Sequence, residues 1–264
     1  MAQLWKGAPV AAALTAELTT RAEKLRAQGI VPTLAILRVG QQPDDIAYET
    51  AAAKRCEKIG ITVKAFHVPT DCTAEQLLHT VDEINADPAI HGCLFLRPLA
   101  DKELEELAWT RLVPGKNMDE PPCTAQACIE LLDFYGVELQ GKKTCVVGRS
   151  AVVGRPVREL LEARGAGVTV CHSKTADLSG TCRQAELLVS AVGKAGLISA
   201  DCVSAGQIVI DVGINETPDG KLCGDVDFGA AEPVVSAITP VPGGVGNVTT
   251  AVLCKHLIEA AERA

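Results

Sequence analysis

Short apolar runs alternate with amphipathic helical segments along the whole chain, and this alternation restricts the fold more than any other feature. Residues 8–28 set Leu14, Leu18 and Leu25 at helical spacing, and Gly29 stops the segment. Pro32 to Val39 reads as a buried strand, residues 44–59 as a second helix ended at Gly60, and Ile61 to Val68 as an alternating strand. Thr73 and Gln76 have capping-box spacing and open a third helix through Ile84; Ile90 to Leu96 is another short strand. Strands separated by helix-length segments are joined by crossovers rather than tight turns, so the sheet they form is parallel.

The pattern breaks at Val113–Pro122, where prolines, a glycine and mixed charges mark a boundary or loop. It resumes with a helix over 124–134 and a strand at Lys143–Val147. A helix over about Val153–Arg164 follows, with Pro156 in its first turn. Further strands are expected at Val168–Cys171, Leu187–Ser190, Ile208–Asp211 and Ala237–Thr239, and a last helix over 249–263. Two βα series in 264 residues predict two α/β lobes.

Composition excludes several classes of function. Lys and Arg number 25 against 33 Asp and Glu, a net charge of −8, opposite in sign to a nucleic-acid binder. No uncharged apolar run approaches the roughly 18 residues that span a bilayer. Aromatics are 3%, so Leu, Val, Ile and Ala must fill the core. Eleven cysteines are an odd number with no CxxC spacing, and many lie in apolar runs, as Cys93, Cys145 and Cys171 do. They read as small buried hydrophobes in a reducing, cytoplasmic setting, with no basic-then-apolar leader at Met1. No His/Cys cluster has metal-ligand spacing, so no metal is expected.

The sharpest local feature is Val146-Val-Gly148-Arg-Ser-Ala-Val-Val-Gly154. A strand ends on one glycine and a helix opens on another, the place where a dinucleotide pyrophosphate meets helix N-termini. A plain strand-turn-helix connection also explains such glycines, because the usual GxGxxG is absent. The next strand ends in Cys171-His-Ser-Lys-Thr175, without the acid that bonds a ribose 2′-hydroxyl in NAD sites. Hydroxyls, a lysine and the Arg149 guanidinium suit a 2′-phosphate instead, which favours NADP over NAD. A polar surface turn is the alternative. Asp211-Val-Gly-Ile-Asn215 follows a buried strand, and Pro240-Val-Pro-Gly-Gly-Val-Gly246 combines stiffness with close backbone approach, as under a flat ligand.

Taken in order, Gly148-Arg-Ser with Val153-Gly154, Cys171-His-Ser, Asp211-Val-Gly-Ile-Asn215, Gly224-Asp-Val226 and Pro240–Gly246 resemble the bifunctional methylenetetrahydrofolate dehydrogenase/methenyltetrahydrofolate cyclohydrolase (FolD) family. Lys6-Gly7, Leu37-Arg-Val-Gly40, Tyr48, Cys56-Glu57, Gly60-Ile61 and Pro122-Cys-Thr124 extend the resemblance across the N-terminal half. The resemblance implies a homodimer of two α/β lobes. The first is a parallel, folate-side lobe of residues 1–120, completed by the C-terminal helix 249–264. The second, residues 121–248, is a Rossmann-like NADP-binding lobe. It also implies hydride transfer from 5,10-methylenetetrahydrofolate to the nicotinamide, followed in many members by hydration to 10-formyltetrahydrofolate. Carried over by position, Gly148, Arg149, Ser150, Ser173 and Ile214 match cofactor-binding residues. Tyr48, Asp119 and Pro242-Gly243-Gly244 match the folate side.

The chain departs from the family where the second reaction needs it most. A lysine usually follows the tyrosine by four residues and serves as acid/base; here that position is Ala52. Lys54 is the nearest lysine, turned about 120° from Tyr48 on a helix. The glutamine that supports the family's lysine aligns with Leu96 in Leu96-Arg-Pro-Leu99. A Lys-Asp-Val-Asp-Gly segment reads Lys116-Asn-Met-Asp-Glu120, and a stretch of the family between Glu120 and Pro121 has no counterpart. A positioned acid/base contributes about 10² to 10⁴-fold, whereas hydride transfer mainly needs donor and acceptor held face to face. The expectation is therefore an NADP-dependent dehydrogenase whose cyclohydrolase step is weak or lost. The alternatives are a fully bifunctional enzyme using Lys54 or Arg97, and a non-catalytic NADP- or folate-binding paralogue. On the leading reading Asp119, Tyr48 and Lys54 are the candidate catalytic residues, with Asp119 and Tyr48 also contacting folate. Ordinary loop, core-covering and surface roles are the alternatives for the three.

Overall fold

The computed structural model describes residues 1–264. In chain order the elements are β1 (Gln3–Leu4), α1 (Gly7–Ala27), β2 (Thr33–Val39), α2 (Pro43–Ile59), β3 (Thr62–Val68), α3 (Ala74–Ala86), β4 (Gly92–Phe95), α4 (Lys102–Arg111) and α5 (Cys123–Phe134). They continue with β5 (Lys143–Val147), α6 (Gly154–Ala163), β6 (Gly167–Cys171), α7 (Leu178–Arg183), β7 (Leu187–Ser190), β8 (Ile208–Asp211), β9 (Asn215–Glu216), β10 (Leu222–Cys223), α8 (Phe228–Ala231), β11 (Ala237–Ile238) and α9 (Thr249–Arg263). The chain divides into two compact units, residues 12–123 with 250–264, and residues 1–11 with 124–249.

In the first unit β2 lies between β3 and β4, and all three run parallel. Leu34–Leu37 of β2 are buried on both faces, as a central strand covered by helices requires. Leu37, Leu77, Val81, Ile84 and Phe95 belong to one core cluster. The predicted capping box forms: Gln76 N–H donates to Thr73 Oγ1 at 3.3 Å and Thr73 N–H to Gln76 Oε1 at 2.9 Å. The far end of α3 is closed by a distant residue, Lys116, whose Nζ donates to the carbonyls of Ile84, Asn85 and Asp87. Helix α4 is not anticipated by the sequence pattern, because Ala108 alone among its residues is buried. Its visible signal is Asp101, which accepts from the amides of Glu103 and Leu104. Within this unit Cys254 of α9 lies 3.8 Å from Cys56 of α2, and Glu262 pairs with Arg21 of α1.

The second unit holds six parallel strands in the order β1-β11-β8-β7-β5-β6. The first eleven residues, which the family resemblance assigns to the N-terminal lobe, group here because Gln3 and Leu4 pair with Ala237 and Ile238. A two-residue strand has no periodicity to betray it. Cys145, Cys171, Cys182 and Cys202 fill this unit's core as small apolar groups. All eleven cysteines are unpaired thiols, and all but Cys72 and Cys223 are buried. No helix is long and apolar enough to cross a membrane.

Candidate active site

Chain order reverses at β5, whose neighbours are β6 on one side and β7 on the other. In an open parallel sheet the crevice outside the carboxyl ends of such strands is where dinucleotides bind. The predicted cofactor residues converge there. Gly148–Ser150 follow β5, Ser173 follows β6 and Ile214 follows β8. Gly148 sits at φ +120°, and a Cβ on it would lie 2.2 Å from the Ala191 carbonyl oxygen, so only glycine fits between the two strand ends. A Cβ on Gly154 would lie 2.4 Å from the Gly148 oxygen, so the turn folds back on the first residue of α6. Ser150 Oγ accepts from the amides of Val153 and Gly154 at 3.2 and 3.3 Å, holding the helix N-terminus at the surface. Arg149, Ser150, Ser173 and Lys174 are exposed. A close-approach backbone cradle at the N-terminus of a ten-residue helix, with Arg149 and Ser173 on adjacent strand ends, fits an anionic dinucleotide.

Behind these loops lie two buried acids that the residue-by-residue reading passes over. Asp211 accepts from the amides of Gly213, Asp225 and Val226 at 2.9–3.0 Å. Burial pushes its carboxyl up to about 6, against the lowering effect of those three amides. Asp225 accepts from five donors spread over residues 190–215. Asp211, Gly224, Val226, Phe228 and Val241 line a cavity of about 290 Å³; Gly148, Arg149 and Ser150 are not part of it. It therefore marks the ground beneath the 211–226 loops rather than the phosphate turn.

The Pro240–Gly246 loop leaves the carboxyl end of β11, beside the same sheet edge. Gly7 anchors it. Its amide donates to the Gly243 carbonyl at 2.8 Å, and a Cβ on Gly7 would lie 2.1 Å from the Gly244 oxygen. Pro242 remains exposed, and Gly243 adopts φ +108°.

In the other unit, helix α2 carries Tyr48. Tyr48, Ala52 and Cys56 repeat at four-residue spacing on its inward side, and Ala52 is fully buried. Lys54 lies on the opposite, exposed stripe with Ala47, Thr50, Ala51 and Lys58, so the helix does not bring it to Tyr48. Glu49, beside Tyr48, accepts from Arg38 Nε at 2.6 Å and lies 2.7 Å from His67 Nε2, fixing α2 to the ends of β2 and β3. Burial raises the Glu49 carboxyl, but these two partners outweigh it and hold the group low. Leu96 is buried. Its neighbour Arg97 stacks its guanidinium 3.5 Å over the Trp109 ring and lies 3.5 Å from Asp119 Oδ2. Asp119 Oδ1 accepts the Cys123 amide at 3.0 Å, across the shortened segment. Asp119 is thus clamped from both sides, and the charge beside it is Arg97, not Lys54.

Two family models cover the chain. Residues 5–119 match the tetrahydrofolate dehydrogenase/cyclohydrolase catalytic domain and residues 122–264 its NAD(P)-binding domain. The bifunctional protein FolD of Carboxydothermus hydrogenoformans is 48% identical, over 99% of this chain and 98% of its own. That alignment runs over 282 residues against a chain of 264, so part of the relative has no counterpart here. The bifunctional FolD of Campylobacter jejuni superposes with a TM-score of 0.96 at 36% identity, covering 100% of this chain and 99% of that one. The Trypanosoma brucei FolD, solved with NADP cofactor and an inhibitor, gives 0.92 at 33% identity over 99% and 98% of the two chains. Two α/β units, a reversal of strand order at β5 beside Gly148, and models and relatives matching nearly end to end lead to one assignment: this chain belongs to the tetrahydrofolate dehydrogenase/cyclohydrolase (FolD) family.

Proposed function

We propose that this protein oxidises 5,10-methylenetetrahydrofolate to 5,10-methenyltetrahydrofolate with NADP and hydrates the product to 10-formyltetrahydrofolate. The convergence of Gly148–Ser150, Ser173 and Ile214 at the carboxyl ends of β5, β6 and β8 carries the first half. NADP, when bound, supplies the hydride acceptor. Gly148, Ser150 and the α6 N-terminus would hold its pyrophosphate, and Arg149 and Ser173 its 2′-phosphate. Tyr48 would pack on the folate, Asp119 would accept from its pterin N–H groups, and the Pro242–Gly244 backbone would approach it closely. The bifunctional relatives favour retention of both reactions over the loss that the sequence alone suggests.

The observation favouring a second reading is that Ala52 and Leu96, both apolar and both buried, stand where the family resemblance expects a lysine and its supporting glutamine. On that reading hydration is the slower step, because no side chain at those positions can move a proton. Arg97 cannot replace the lysine as an acid/base, since a guanidinium stays charged at neutral pH; it can only stabilise charge. Two absorbance assays, NADPH formation and methenyltetrahydrofolate decay, test both readings when run separately. Absence of NADPH formation overturns the proposal, and methenyl accumulation during turnover selects the second reading.

A further inference from the structure

Asp225 belongs to a motif, Gly224-Asp-Val226, to which the reaction as proposed gives no task. Its side chain is 0% exposed. One carboxylate oxygen accepts from Ser190 Oγ at 3.1 Å and from the amides of Val192 and Gly193 at 2.7 and 3.3 Å. The other accepts from the Lys194 amide at 2.8 Å and Asn215 Nδ2 at 3.0 Å. These five partners are neutral. Through these five donors one buried carboxyl group gathers two loops, the one after β7 and the one after β8. Each loop also carries a large apolar residue in solvent: Val192 at 39% and Ile214 at 68% exposure.

We infer that Asp225 is a positioning residue for the nicotinamide half of the cofactor, stapling the two loops so that Val192 and Ile214 present one preformed apolar face. The inference rests on the dinucleotide site proposed above. If the 2′-phosphate end lies over Arg149 and Ser173, at β5 and β6, the other half of a dinucleotide crosses the switch point toward β7 and β8. There a flat, largely apolar ring needs a rigid apolar surface, and holding that surface before binding spares the ordering cost at the moment of binding. Asp225 also consumes the amides of residues 192–194, which leaves the phosphates to the Gly148–Ser150 turn. An acid suits this place and an amide does not. A carboxylate only accepts, whereas the NH₂ of an asparagine would face donors.

Equilibrium binding of NADP and of adenosine 2′,5′-bisphosphate, which lacks the nicotinamide half, tests the idea on the full-length enzyme. Asp225→Asn should weaken NADP at least about tenfold, and Asn215→Ala, which cuts one strut, about threefold. Both should bind the bisphosphate as wild type does, with the KM for methylenetetrahydrofolate unchanged. If Asp225→Asn does not fold, Asn215→Ala and Ser190→Ala carry the test. Equal weakening of NADP and the bisphosphate would make Asp225 a general structural support and overturn the inference, as would unchanged NADP affinity. Failure of the wild type to bind either compound would instead overturn the cofactor site on which the inference stands.

Discussion

Replacing Gly154 by Ala adds a single methyl group at the first residue of α6, and its two effects oppose each other. Alanine favours helix over glycine by at most about 1 kcal/mol. Against that, the new Cβ would lie 2.4 Å from the Gly148 oxygen, 2.6 Å from the Gly148 carbonyl carbon and 2.9 Å from the Arg149 nitrogen. All three are backbone atoms, so no side chain can swing aside, and the turn must retreat by more than half an ångström. Overpacking of this kind costs about 1–3 kcal/mol, which outweighs the propensity gain. Taking the middle of that range, about 2 kcal/mol, less about 1 kcal/mol of propensity gain, the net loss of about 1 kcal/mol should lower the melting temperature by roughly 2–4 °C. Because the displaced atoms are the proposed pyrophosphate cradle, NADP affinity should fall further, by about tenfold to a hundredfold. Thermal melts and NADP titration would measure both. Gly115→Ala is the control, since nothing lies within 4 Å of its added Cβ, and it should change neither quantity. A Gly154→Ala enzyme with wild-type stability and NADP affinity would refute the assignment of this turn.

Arg149→Ala should raise the KM for NADP at least about tenfold more than that for NAD, reflecting loss of a charge-assisted phosphate contact. Equal use of both dinucleotides by the wild type would contradict NADP selectivity. Lys54→Ala should leave hydride transfer and hydration unchanged. Ala52→Lys with Leu96→Gln should raise hydration by more than the product of the single effects, because the lysine needs its polar partner; methenyltetrahydrofolate decay reads out both experiments. Asp211 should leave a signature in stability against pH. Its carboxyl is raised from 3.8 to about 6, so the folded state holds the proton more tightly than the unfolded chain. Its contribution is therefore largest below pH 3.8 and declines as pH rises through 6, by up to about 3 kcal/mol. Denaturant unfolding of wild type and Asp211→Asn between pH 4 and 7 should show this slope in their difference; parallel curves would refute it. Finally, light scattering at micromolar concentration should report a dimer, the commonest closed symmetry; a monomer would contradict the assembly that family resemblance implies.

The order of the core strands β2 to β8 and of the longer helices, α4 excepted, was legible in the sequence because it is written in local periodicity. The Thr73–Gln76 capping box, the stop at Gly60 and the glycine turn after β5 all depend on residues a few positions apart. Helical phase likewise separates Lys54 from Tyr48, although only the observed burial of Ala52 decides which stripe faces inward. The short strand β1 was not legible, since two residues define no period and its partner β11 lies more than 200 residues away. Nor were the tasks of Lys116, which closes α3 from thirty residues downstream, and of Arg97, whose stacking on Trp109 and approach to Asp119 join separate elements. Asp225 is the fullest case. The sequence shows an acid between a glycine and a valine, and it takes the return of the chain through β7 and β8 to surround that acid with five donors. Propensity and capping act through neighbours along the chain, whereas a buried charge is satisfied by whichever donors the tertiary fold delivers to it.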